Sequence, residues 1–188
     1  MPDHDAHAQV TIATRQWLER AVIGLELCPF AKAVHLKNQI RYVVSAAESE
    51  ETLLADLLRE LRLLADADPL LIETTLLIHP WVLQDFLDYN QFLDLADAAV
   101  DELGLDGILQ VASFHPCYQF ADSAPDDITN FSNRAPYPTL HLLRESSVDR
   151  AVAAFPEANR IFERNIETLR RLGPAGWAAL WTQGDETD

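Results

Sequence analysis

Two histidine–proline pairs, His79-Pro80 and His115-Pro116, stand at the ends of two apolar, β-branched runs. Proline forces the residue before it into extended backbone angles, so each pair fixes the direction of an imidazole. His141 lies near the start of a further run, 139–143. A neutral imidazole can ligate a metal or accept a proton near neutral pH. His79, His115 and His141 together would bind a divalent ion such as zinc, manganese or iron, or share acid–base work. After His79, Pro80 would also open a helix, whose positive end disfavours the imidazolium. The plainer alternative is that each pair simply ends a strand.

Cys28 offers a second chemistry. Pro29 suits the first turn of a short helix over 29–36 with Cys28 as its N-cap. A thiol there has a lowered pKa and serves as a catalytic or redox centre. The alternative is a buried structural cysteine. A resolving cysteine would stand at Ala31 and does not. Cys117, two positions from His115, defines no metal spacing on its own. A third group is Arg134, in Asn133-Arg134-Ala135-Pro136-Tyr137-Pro138. A guanidinium held by a proline-stiffened loop can clamp the carboxylate or phosphate of a small anionic molecule, with Asn133 and Tyr118 as further contacts. An internal ion pair is the competing role.

Three segments carry a resemblance: Leu27-Cys28-Pro29-Phe30-Ala31, Ser113-Phe114-His115-Pro116-Cys117-Tyr118-Gln119-Phe120, and Asn133-Arg134-Ala135-Pro136-Tyr137-Pro138-Thr139-Leu140-His141-Leu142-Leu143-Arg144-Glu145. They resemble a bacterial family of uncharacterised proteins, a domain of unknown function of about this length. The resemblance spans nearly the whole chain and implies a soluble cytoplasmic protein. It brings no activity, cofactor or catalytic residue. Within it, Cys28, His79, His115, Arg134 and His141 are favoured over Cys117.

The elements that must position these groups follow from periodicity. Apolar positions at helical spacing predict a helix over 10–27, then the short helix over 29–36. Strands are predicted at 40–44, 74–79, 108–115 and 139–143. Leucines from Leu53 to Leu64 mark a helix opened by Ser49. A seam from Val82 to Leu103 marks another, opened by Pro80 and closed by Gly104. Residues 117–138 show no sustained period, and a loop so long is more often functional than idle. Ser146 caps a helix broken by Pro156, and a last helix stops at Gly173-Pro174. Trp177, Leu180 and Trp181 then fold back as an apolar clasp.

This order predicts an α/β fold, with α+β as the alternative. It would have one four-stranded mixed sheet covered by helices, three strands parallel and the fourth antiparallel. The three histidines would then meet at the carboxyl rim of the sheet under the 117–138 loop. Residues 1–9, with His4 and His7 solvated, and 182–188 would be flexible tails around one domain, 10–181.

Composition limits the functions. The chain of 188 residues is 48% hydrophobic, enough for a sizeable core. Its 14 Lys and Arg against 30 Asp and Glu leave a formal charge of −16, which argues against nucleic acid or an anionic membrane as partner. Two cysteines exclude a disulfide framework and fit a reducing cytoplasm. Phosphate-binding glycine loops, dinucleotide fingerprints, paired Cys-x-x-Cys sites and nucleophile elbows are absent from the sequence. Three readings remain: a small metal-assisted or acid–base hydrolase using the histidines, a thiol enzyme or redox protein using Cys28, and a non-catalytic binding module.

Overall fold

Leu53, Leu57, Leu61 and Leu64 recur one helical turn apart and are all fully buried, so they form the stripe that fixes helix α3 (Glu50–Asp66) on the sheet. Each contributes about 1.5–3 kcal/mol by leaving water. Ser49 and Thr52 close the helix start reciprocally, each side chain accepting the other residue's backbone N–H. The computed structural model describes residues 4–155 and 157–182. Residues 1–3, Pro156 and residues 183–188 lie outside the described residues.

Before α3 come helix α1 (His4–Trp17), which runs into a π-helical turn (Leu18–Ile23), the short helix α2 (Ala31–Leu36) and strand β1 (Ile40–Val44). After it come β2 (Thr74–Ile78), α4 (Phe86–Glu102), β3 (Leu109–Phe114), a 3-10 turn (Ile128–Asn133) and β4 (Thr139–Arg144). Helices α5 (Glu145–Ala154) and α6 (Ile161–Thr182) complete the described chain. The tail expected over residues 1–9 is therefore helical from His4, and the His7 ring packs 5.1 Å from Trp81 instead of standing in water.

The sheet order is β1-β2-β4-β3. Only β1 and β2 pair in parallel, and β4 pairs antiparallel with both β2 and β3. The expected block of three parallel strands is thus not formed, and the fold is α+β. Burial explains the order. Strand β2, Thr-Thr-Leu-Leu-Ile, is buried throughout, and Leu140 and Leu142 of β4 are fully buried, so these strands take the two central places. Strands carrying Arg41 (β1) or Gln110 and Ser113 (β3) stand at the edges. Helices α3 and α4 cover the face bearing Leu77, Leu140 and Leu142. On the other face, Val10 of α1 packs on Leu76 and Ile78, and Trp17 meets Phe114 edge to face at 5.1 Å.

Helix α4 begins at Phe86, six residues after the proline expected to open it. Asp85 is the cap, its carboxylate accepting the Leu87 and Asp88 N–H groups. Residues 80–85 form a loop instead, with Leu83 in the left-handed region at φ 57°. Two imidazoles hold this loop by its carbonyls, as described below. Cys28 likewise caps no helix: α2 starts at Ala31 with Phe30 before it and no side-chain cap.

Candidate functional site

The rim where β2 and β3 end and β4 begins carries His79, His115 and the long loop. Both imidazoles point inward. His79 has 0% exposure, and its Nδ1–H donates to Val82 O at 3.1 Å. His115, also at 0%, donates from Nε2 to Leu83 O at 3.2 Å and accepts the Cys117 N–H at Nδ1 at 3.0 Å. These bonds assign opposite neutral tautomers to the two rings. Both pack around Tyr89, with centroids 5.7 Å and 5.0 Å from its ring. The Tyr89 hydroxyl donates to Thr139 O and accepts the Phe114 N–H, tying β3 to β4. Burial raises its pKa.

Burial also lowers the His79 pKa to about 4, opposed by the bond to Val82 and assisted by nearby His115. The His115 pKa is lowered as well, first by burial. The cause at His79 is desolvation and not the expected helix N-terminus, since α4 starts well downstream. His79 Nε2 has no hydrogen-bond partner among the described residues. An unpaired lone pair in an apolar setting is tolerable on the neutral ring, whereas protonation would bury a charge and an unpartnered Nε2–H there.

His141 does not join them. It stands opposite Leu76 in β4, on the α1 face of the sheet, with its ring 6.0 Å from Phe114. The Thr74 hydroxyl spends its one proton on Leu142 O, so His141 Nε2 donates to Thr74 Oγ1 at 2.7 Å. Desolvation lowers its pKa to about 4 although the residue is only partly buried. The three-histidine centre is therefore not assembled. Strand β4 starts at the rim, but alternation turns its third residue to the far face. Among the described residues no three His, Cys, Asp or Glu side chains are grouped to hold a metal ion.

The other expected contacts also have structural partners. The Asn133 side-chain amide donates to Ser113 O, and its backbone carbonyl accepts the His115 N–H, fastening the loop to β3. The Tyr118 ring packs between Phe86 and Phe120 at 5.2 and 5.1 Å. Cys28 is partly buried among apolar side chains that include Trp17 and Val22, and Cys117 is exposed.

Arg134 is different. Its Nε donates to Tyr118 O at 3.1 Å and its Nη2 to Pro125 O. The guanidinium lies 4.4 Å from the Phe131 ring centroid. No carboxylate among the described residues pairs with it, in a chain of 30 acidic residues. Burial lowers its pKa, partly offset by the neighbouring Cys117 thiol, yet a guanidinium stays charged throughout the working range. It lines a cavity of about 300 Å³ beside the ends of β3 and β4. The other walls are Trp17 and Gln16 of α1, Phe131, and Trp177 and Trp181 of α6, closed by Pro116 and Pro136.

Local sequence explains how α6 reaches this place. Gly173, at φ 66° and ψ 173°, and Pro174 kink the helix, turning its last two turns across the cleft. Arg20 donates to Leu180 O at 3.2 Å and holds them there. Of the aromatic walls, Trp177 and Trp181 were legible only as an apolar clasp. The one signal for them as a site is the i, i+4 spacing of Trp177 and Trp181 after a helix break.

The whole is an α+β protein with an arginine-bearing aromatic cleft at the sheet rim. The chain belongs to the family described as "Protein of unknown function (DUF1415)", whose pattern matches residues 9–179. No curated protein and no solved structure matches it. Among the described residues no helix is long and apolar enough to cross a membrane.

Proposed function

We propose that this chain binds a small organic anion in the cleft, with the charged group held by Arg134. One observation carries the reading: a half-buried guanidinium, unpaired by any described carboxylate, in the wall of a largely apolar cavity. Desolvating such a group costs free energy that a pairing anion returns. The two backbone carbonyls already on Nε and Nη2 fix the fork's position before any ligand arrives, so little ordering remains to be done on binding. The cavity is at the small end of ligand-site volumes, which fits a compact molecule.

A histidine-based hydrolase gains no support from the arrangement, since His79 and His115 are sealed from solvent and His141 lies across the sheet. Thiol chemistry at Cys28 gains none either, because that residue caps no helix.

The test is calorimetric. 2-Naphthoate and its uncharged isostere 2-naphthalenemethanol are titrated into the protein. A charge-assisted hydrogen bond is worth about 1.5–3 kcal/mol, so the acid is expected to bind about ten- to a hundredfold more tightly. Arg134→Gln should remove that preference. Equal binding of acid and alcohol to the unaltered protein overturns the reading.

A further inference from the structure

Resting on that anion-binding reading, we infer that the anion is carried on a flat aromatic body and that the cleft selects for it. The walls supply the argument. Phe131 meets Trp177 edge to face at 5.1 Å and 77°, and Trp177 meets Trp181 at 5.7 Å and 69°. Three rings set nearly at right angles in series form a stepped corner that offers both faces and edges. An aromatic guest can satisfy these with its own edges and faces, because the quadrupoles favour offset and T-shaped contacts. An aliphatic guest of equal size gains only the buried area.

Arg134 stands on the Phe131 ring itself, 4.4 Å from its centroid. Charge recognition and ring recognition therefore occur side by side, so anion and ring must belong to one compact molecule. The arylcarboxylates, with the acid group bonded directly to the ring or one atom away, have that form. Charge complementarity sets the sign: among the described residues, the one charged group lining the cavity is this guanidinium. An aromatic cage without it would suit a cation.

The test compares 2-naphthoate with decalin-2-carboxylate, its saturated counterpart, by calorimetry on the unaltered protein. We expect the aromatic acid to bind about tenfold more tightly, the ratio of a few aromatic contacts. Trp177→Leu should then weaken 2-naphthoate by about five- to tenfold and leave decalin-2-carboxylate within about twofold. Equal affinity of the two acids for the unaltered protein overturns this inference and leaves the anion reading standing. Binding of neither acid overturns both.

Discussion

Protonation of His79 destabilises the folded protein as the pH falls. The ring is fully buried, holds the Val82 carbonyl through Nδ1, and has its pKa lowered from 6.5 to about 4. In the unfolded chain it takes up a proton as pH falls through about 6.5, while the folded protein refuses it until about 4. The unfolded state binds more protons between those values, so stability is complete above the upper one and drains away toward the lower. Between pH 7.5 and 4.5 the loss from this residue is about 2.5 kcal/mol. Other groups titrate too, and relief of the net negative charge acts in the opposite sense. The comparison that isolates His79 is with His79→Asn, whose amide can donate to Val82 O and does not titrate. At pH 7.5 the variant should be less stable by about 2–3 kcal/mol, because the ring against Tyr89 is lost. Urea unfolding at both pH values should show that gap closing to nearly nothing at pH 4.5. A gap that stays constant would refute the assignment of a sealed, neutral imidazole.

Other consequences are local. Arg144 Nη2 reaches the carbonyls of Leu64, Ala67 and Ile72, so Arg144→Met should cost about 3 kcal/mol in chemical denaturation, and a cost under about 1 would contradict that role. Tyr89→Phe removes the hydroxyl bridging Phe114 N–H and Thr139 O, and should lower stability by about 1–3 kcal/mol with faster amide exchange at Phe114. A Cβ at Gly173 meets nothing within 4 Å among the described residues, so Gly173→Ala is penalised by its backbone angles, which are essentially reserved for glycine, by about 1–3 kcal/mol in thermal unfolding. By straining the kink that aims Trp177 and Trp181, the same variant should also weaken 2-naphthoate in calorimetry.

What could be read from the sequence was local and periodic. The leucines of α3, the strands and the glycine closing α4 follow from spacing and cap chemistry, and Gly104 does adopt φ 66°. The strand order was not legible. Placing β4 between β2 and β3 depends on which strands bury both faces, a competition among segments far apart in the chain. The histidines misled for a related reason. Their proline neighbours do mark the rim, but nothing local says that the carbonyls of Val82 and Leu83 would be their partners. Those bonds hold the loop that precedes α4, which starts only at Phe86. Arg134 was visible as a loop guanidinium. Phe131 is its neighbour in the same loop, but the tryptophans come from α1 and α6, over a hundred residues away in one direction and more than forty in the other, and only tertiary packing joins them.

A crystal structure of the protein with 2-naphthoate would show whether Arg134 holds an anion in the aromatic cleft. We expect a carboxylate oxygen about 3 Å from a guanidinium nitrogen of Arg134, with the naphthalene against Trp177. A ligand lodged elsewhere, or seated in the cleft with its carboxylate turned to solvent, would contradict it.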